Sequence, residues 1–143
     1  MNIKTLTGLE VMQAFAQGRV PEPDIAKIMS MKLETVKIGR VVFSCTANET
    51  HSNPLGSVHG GFAATVLDSV TGCATHTALA AGESYCTIEL NVKMFKAIPF
   101  HKTLRAEGKV INVSRRLVIS EGSIRDENGM LYAFATATCM IFR

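Results

Sequence analysis

The segment Gly61–Ala81 (GFAATVLDSVTGCATHTALAA) decides the fold, because it is the only long stretch of the chain with regular helical periodicity. Its apolar residues recur at spacings of three and four and form one stripe, which consists of Ala63, Val66, Leu67, Val70, Ala74 and Ala78. A stripe of this width predicts a long helix that lies against a sheet.

Only strand patterns follow this helix. The predicted strands are Ser84–Ile98, Thr103–Val113, Arg116–Arg125 and Met130–Phe142. Alternation in the first of them places Cys86, Ile88, Leu90, Val92 and Met94 on one face and Thr87, Glu89, Asn91 and Lys93 on the other. Asn128-Gly129 predicts a two-residue hairpin turn, because both positions tolerate positive φ.

Residues 1–30 are predicted to form a helical lead-in. Thr7 and Glu10 have the spacing of a capping box, and helical spacing continues to Gly18. A helical turn is expected at Pro23–Ile28. The segments Met31–Ile38 and Arg40–Asn48 then read as two strands, and residues 51–61 form a glycine-rich loop.

The predicted class is α+β, with one domain over residues 1–143. Chains of roughly 100 to 200 residues usually bury a single core. Because tight turns join the last four strands, we expect one curved, mainly antiparallel six-stranded sheet around the long helix.

The composition is apolar for a globular chain. Hydrophobic residues make up 47% and charged residues only 19%, whereas about a quarter of an average chain is charged. Every apolar run is shorter than the roughly 20 residues that a transmembrane helix needs, so no membrane partner is expected. The low charge therefore indicates an oligomer interface or an apolar ligand tunnel.

Several functional classes are disfavoured. The basic residues are spread along a chain of net charge +3, which argues against a nucleic-acid partner but allows a small anionic ligand. No targeting signal is evident, and a cytoplasmic location is expected. The four cysteines form no C-x-x-C pair and are expected to be buried free thiols. The histidines lack a metal-ligand spacing, and no G-x-S-x-G motif of a serine hydrolase occurs.

The most unusual stretch is the loop-to-helix junction NPLGSVHGG at residues 53–61. A helix N-terminus carries unpaired N–H groups and about half a positive charge, and Gly60 and Gly61 leave those groups unobstructed. The junction can therefore receive an oxyanion or a polarised carbonyl. A glycine-rich turn that only leads the chain into the helix explains the pattern equally well.

Asp68 is the only acidic residue from Phe62 to Ala81, and that range contains no Lys or Arg. Its neighbours on the helix face are small or hydroxylated, namely Ala64, Thr65, Thr71, Gly72 and Thr75. A carboxylate in this setting indicates close approach of a ligand or a second element. The alternative is a buried structural Asp that is bonded to the nearby threonines.

Gly60 and Asp68 are eight positions apart, or about 12 Å along a helix that rises about 1.5 Å per residue. One helix cannot bring them together. A carbonyl held at Gly60 could meet this carboxylate only if Asp68 came from an adjacent helix running in the opposite direction. A two-fold dimer would provide two such composite sites.

The run from Asn53 to Gly72 closely resembles the hotdog-fold thioesterases of the phenylacetate-pathway, or PaaI-like, family. The similarity covers most of the chain, including the strand Thr87–Phe95 and the hairpin from Arg115 to Gly129. The resemblance implies a hotdog-fold enzyme that hydrolyses an acyl-CoA, with an aromatic or medium-chain acyl group among the candidates. It also implies that coenzyme A enters only as part of the substrate, with no cofactor, and that homodimers assemble into a homotetramer.

The resemblance also implies roles for individual residues. Asp68 is the general base or the nucleophile, and the backbone N–H of Gly60 polarises the thioester carbonyl. Asn53 holds the attacking water or the thioester end, and His59 stabilises the loop. Thr87 matches a Ser or Thr that lies near the carboxylate.

Further substrate contacts are assigned to Gly61 and to Arg115 and Arg116, which could meet the phosphates of the coenzyme A nucleotide. These arginines could equally be solvated strand ends, and His59 alone could be a structural histidine.

Two other functions stay open: a dehydratase or hydratase acting on acyl thioesters, and a non-catalytic acyl-CoA binding protein.

Overall fold

A computed structural model describes all 143 residues, from Met1 to Arg143. The helices are α1 (Gly8–Ala16), α2 (Asp24–Ile28) and α3 (Gly60–Thr77). The strands are β1 (Met31–Lys37), β2 (Arg40–Thr46), β3 (Ser84–Met94), β4 (Thr103–Val113), β5 (Leu117–Arg125) and β6 (Leu131–Phe142). Short 3-10 turns occupy Ile3–Thr5 and Glu49–His51. No helix is both long enough and apolar enough to cross a membrane.

The six strands form one antiparallel sheet in the order β1-β2-β4-β5-β6-β3, so β1 and β3 are its edges. Helix α3 contacts all six strands, which requires the sheet to curve around it. The predicted stripe faces the sheet, and Val66, Leu67, Val70 and Ala74 are fully buried. The α+β prediction is therefore confirmed.

Two glycines allow α3 to lie close to the sheet. Gly108 on β4 and Gly122 on β5 are directly paired in register. A Cβ on Gly108 would lie 1.9 Å from the carbonyl oxygen of Val70, and a Cβ on Gly122 would lie 3.1 Å from methyl carbons of Val70 and Thr71. The helix backbone therefore occupies the space that a side chain at Gly108 would fill, and helix side chains occupy that space at Gly122.

The lead-in packs on the C-terminal half of α3. The expected capping box begins α1: Thr7 Oγ1 accepts the N–H of Glu10, and the Glu10 carboxylate accepts the N–H of Thr7. The N–H of Gly8 donates to the Leu79 carbonyl at 3.0 Å. A Cβ on Gly8 would clash with the His76 carbonyl, so α1 meets α3 backbone to backbone.

The predicted alternation in β3 is wrong in its first half. Thr87 pairs with Cys139 and Glu89 with Thr138, so Ile88 is the extra residue of a β-bulge. The bulge reverses the side-chain alternation. Consequently Tyr85 and Thr87 share the inward face with Leu90 and Val92, whereas Cys86 and Ile88 are exposed.

Three smaller expectations also need correction. Cys86 is exposed and Cys73 is only partly buried, although all four thiols are free as expected. The hairpin turn is longer than the predicted two residues and spans Asp126–Met130, because the Asp126 carboxylate accepts the N–H groups of Asn128 and Met130. Only Gly129 of the predicted pair Asn128-Gly129 has positive φ. Helix α3 ends at Thr77 rather than Ala81, because the N–H groups of residues 78 and 79 bond to carbonyls three residues back.

The glycine pair generates a stability prediction. Gly108→Ala should lower the free energy of unfolding by about 3 kcal/mol or more, because the new methyl meets a backbone carbonyl that cannot move alone. Gly122→Ala is the matched control and should cost at most about 1 kcal/mol, because it meets only methyl groups that can shift slightly. Urea denaturation measures both. Equal losses in the two variants would contradict the close contact between helix and strand.

Candidate active site

The start of α3 presents one free N–H group. His59 is the N-cap, and its Nδ1 accepts the N–H of Gly61 at 2.7 Å. The His59 carbonyl accepts the N–H of Phe62 at 2.9 Å. The N–H of Gly60, the first helical residue, has no acceptor within the chain. Because the helix dipole adds positive potential here, this N–H is placed to bind a carbonyl or oxyanion.

Asn53 shapes the loop before the helix. Its Oδ1 accepts the N–H groups of Leu55 at 3.0 Å and Ser57 at 3.2 Å, and its Nδ2 donates to Ser57 Oγ at 2.9 Å. These bonds leave one amide hydrogen of Asn53 free. A direct contact between this hydrogen and a substrate or water stays a prediction.

His51 holds the loop that precedes α3 in place, although no sequence pattern indicated this role. It is buried, its Nε2 donates to the Ile28 carbonyl at 2.6 Å, and its Nδ1 accepts the N–H of Asn48 at 3.0 Å. Its own carbonyl accepts the N–H of His59 at 2.8 Å. His51 therefore links the lead-in to the N-cap of α3.

Asp68 lies two turns along the same helix, and its side chain is exposed. Its carboxylate has no hydrogen-bond or ion-pair partner in the chain, because the nearby threonines bond elsewhere. Thr65 and Thr71 donate to helix carbonyls, and Thr75 bonds to Ser120. The alternative of a buried structural Asp is therefore wrong.

The surface beyond Asp68 is formed by Gly72 and Tyr85. A Cβ on Gly72 would lie 2.7 Å from the Tyr85 hydroxyl, and the Tyr85 ring centroid is 5.7 Å from that of His76. Burial, with smaller contributions from nearby thiols and from Asp68, raises the pKa of Tyr85. Tyr85 is thus a neutral hydroxyl beside the helix face that carries Asp68, and it too was missed from the sequence.

A cavity of about 240 Å³ adjoins the free N–H of Gly60. Its lining includes His59, Gly60, Met94, Lys96 and Tyr132. The ammonium of Lys96 lies 5.5 Å from the centre of the Tyr132 ring. The cavity therefore opens beside the N-terminus of α3.

Arg115 and Arg116 lie at the opposite end of the sheet. They are exposed in the β4–β5 turn, next to β6 residues that pair with the start of β3. Gly60 instead adjoins Met94 at the other end of β3, roughly 30 Å away for an 11-residue strand. Within one chain, therefore, the arginines cannot share a site with Gly60.

Comparison with known proteins identifies the family. The family model described as Thioesterase superfamily matches residues 55–133, which is more than half of the chain and includes Gly60 and Asp68. The chain belongs to the thioesterase superfamily. It is a thioester hydrolase.

Solved structures agree with this assignment. A phenylacetic acid degradation-related protein of Ralstonia eutropha JMP134 is 27% identical, with a TM-score of 0.81 over 90% of this chain and 98% of that one. The PaaI protein of the E. coli phenylacetic acid degradation operon shares the fold at 14% identity, with a TM-score of 0.82 over 96% and 97% of the two chains. A hypothetical thioesterase of Streptococcus pneumoniae TIGR4, solved with coenzyme A, is 21% identical, with a TM-score of 0.72 over 78% and 85%. The predicted hotdog fold and PaaI-like resemblance are confirmed.

The predicted site residues of this thioesterase lie in four places, which are the junction, the middle of α3 (Asp68), β3 (Thr87) and the β4–β5 turn (Arg115 and Arg116). Asn53, His59, Gly60 and Gly61 are together at the junction, although the N–H of Gly61 is already bonded. Thr87 faces inward from β3, with its Oγ1 3.7 Å from Cys139 Sγ and no hydrogen bond to Asp68. Their roles toward a substrate stay predictions.

Proposed function

We propose that this thioesterase hydrolyses acyl-CoA to the free acid and CoA at two sites, each formed between two chains. One observation carries the proposal. The free N–H of Gly60 and the unpartnered carboxylate of Asp68 are the two groups that the reaction needs, yet both belong to one rigid helix, about 12 Å apart. A second copy of α3 that runs antiparallel to the first would bring the Gly60 N–H of each chain beside the Asp68 carboxylate of the other chain.

The chemistry requires stabilisation of charge on the carbonyl oxygen. The N–H of Gly60 donates to that oxygen, and one such donor contributes about 3 to 4 kcal/mol to the transition state. Asp68 removes a proton from a water whose oxygen bonds to the carbonyl carbon, or its carboxylate attacks directly and water then cleaves the resulting anhydride. In both routes the C–S bond breaks and the CoA sulfur leaves and is protonated.

The edge strand β3 supports a two-fold dimer. Its outer edge has unpaired backbone groups along 11 residues, and its exposed side chains include Ile88 and Met94. Antiparallel pairing of two β3 edges would continue the sheet and set the two α3 helices antiparallel. This arrangement supports the predicted homodimer, and a homotetramer of two such dimers is a further proposal.

The same pairing supports coenzyme A as the carrier of the acyl group. It sets the Ser84 end of β3, with the nearby Arg115 and Arg116, beside the partner's Met94 end and its Gly60. Two guanidinium groups there would suit the phosphates of a nucleotide. The fold relative from Streptococcus pneumoniae was solved with coenzyme A. No separate cofactor is proposed.

The two alternative functions predict different products. A dehydratase or hydratase would change the enoyl content of an acyl thioester without releasing CoA, and a binding protein would release nothing. The free imidazole that a dehydratase needs is less available here, because His59 uses Nδ1 as the helix cap. Release of CoA thiol from acyl-CoA distinguishes hydrolysis from both.

Removal of the carboxylate tests the role of Asp68. Asp68→Asn should lower kcat/KM for acyl-CoA hydrolysis by at least about 100-fold, because general acid–base catalysis contributes at least that factor. The matched control is Glu127→Gln, at an exposed acid in the β5–β6 turn, and it should leave the rate unchanged. A thiol-release assay measures both variants. Wild-type-like activity in Asp68→Asn would exclude this carboxylate from the mechanism.

Removal of a single N–H tests the role of Gly60. Proline is tolerated at the first position of a helix, and His59 already has the extended backbone that precedes a proline. Gly60→Pro should reduce kcat by about 100-fold or more, as for other oxyanion donors.

Gly60→Ala is the control for that variant. It keeps the N–H but adds a Cβ 3.1 Å from the flexible end of Met94, and it should retain activity within about tenfold. Similar losses in both variants would mean that the side chain, and not the N–H, causes the defect.

A further inference from the structure

The Tyr85 hydroxyl faces the side of α3 that carries Asp68. Asp68 and Gly72 are four residues apart and so lie one above the other on the helix. A Cβ on Gly72 would lie 2.7 Å from the Tyr85 hydroxyl oxygen, so this oxygen fits there only because position 72 has no side chain. The hydroxyl therefore lies against α3 one helical turn beyond the carboxylate.

The β-bulge at Ile88 gives Tyr85 this direction. Strict alternation along β3 would place Tyr85 on the face opposite to Leu90 and Val92, away from α3. The extra residue reverses the alternation and turns Tyr85 inward. Bulges beside active sites commonly re-aim a side chain in this way.

The Tyr85 hydroxyl is a free hydrogen-bonding group. The nearest threonine hydroxyls bond to other groups, since Thr87 contacts Cys139 Sγ and Thr71 donates to a helix carbonyl. Every fully buried side-chain oxygen and nitrogen of the protein has a partner, so the unpartnered Tyr85 oxygen must reach solvent. Burial of the ring raises the pKa of Tyr85, and its O–H therefore stays a neutral donor.

The distance from Asp68 to this hydroxyl suits one water molecule. Cβ positions four residues apart on a helix are about 5 to 6 Å from each other. A water that makes two hydrogen bonds of roughly 2.8 Å spans the same length. Because the Asp68 carboxylate is exposed and has no partner in the chain, both ends of such a bridge are available.

We propose that Tyr85 is a further catalytic residue, whose hydroxyl holds the attacking water between itself and the Asp68 carboxylate of the same chain. The inference rests on the acyl-CoA thioesterase function proposed above, and it selects the general-base route. The Tyr85 O–H donates to the water oxygen, and the water donates one hydrogen to Asp68. The remaining lone pair forms the bond to the carbonyl carbon while the proton passes to Asp68. The C–S bond then breaks, and the CoA sulfur takes the proton from Asp68.

Removal of the Tyr85 oxygen tests this role and keeps the ring in place. Tyr85→Phe should lower kcat for acyl-CoA hydrolysis by at least about tenfold, because a displaced reactant can cost about 100-fold. KM should stay unchanged, since the hydroxyl contacts the water and not the substrate. The matched control is Thr136→Val, which removes an exposed hydroxyl from the outer face of β6 and should change neither constant. Wild-type kcat in Tyr85→Phe, or a loss confined to KM, would overturn the inference.

Gly72→Ala distinguishes this role from simple packing of the ring. The new methyl would lie 2.7 Å from the Tyr85 oxygen and displace the hydroxyl, so kcat should fall here as well. In the Tyr85→Phe background the same change should cost little more, because the displaced oxygen is already gone. Full additivity of the two losses in kcat would contradict a shared effect on the water.

A crystal structure separates this inference from the proposed function. Wild-type protein should show an ordered water bonded to both the Tyr85 hydroxyl and the Asp68 carboxylate, and Tyr85→Phe should lack it. Absence of that water from wild type overturns the inference even if acyl-CoA is hydrolysed. If wild type hydrolyses no acyl-CoA, the proposed function fails. The two variants are then compared on S-hexanoyl-N-acetylcysteamine, a thioester without the nucleotide, where the same loss of kcat is expected and equal rates overturn the inference.

Discussion

Helix α3 can lie directly on the sheet only because β4 and β5 have no side chains beneath Val70. Gly108 and Gly122 are paired at this position, and the helix carbonyl occupies the space of a missing Cβ. This contact sets the height and direction of α3. It thereby places the Gly60 end of the helix against Met94 and the other end against the lead-in.

The rigidity of α3 determines which chain supplies each reacting group in the proposed site. The donor at Gly60 and the carboxylate of Asp68 keep a separation of about 12 Å, because helix geometry allows no other value. The two-chain site proposed for this thioesterase therefore takes one group from each of two copies of the helix. The low charge content fits this account, because β3 exposes apolar side chains such as Ile88 and Met94 at an edge of the sheet.

The sequence predicted the helices, the strands and the position of the glycine junction, because these follow from local patterns. The stripe of α3 and the capping box of Thr7 and Glu10 are read from spacings of three or four residues, and the junction is read from two consecutive glycines. The bulge at Ile88 was not predictable, since it depends on pairing with β6, and it changes which residues of β3 face α3. Tyr85 and His51 were missed for the same reason, because their partners lie far away in the chain.

The most direct test of the two-chain site is a mixed dimer. Differently tagged Gly60→Pro and Asp68→Asn chains are co-expressed, and the heterodimer is purified and assayed for thiol release. If each site takes Gly60 from one chain and Asp68 from the other, one site in the heterodimer is intact, and activity should be about half that of the wild-type dimer. If both groups act within one chain, every site carries a defect, and the heterodimer will be no more active than the two variant homodimers.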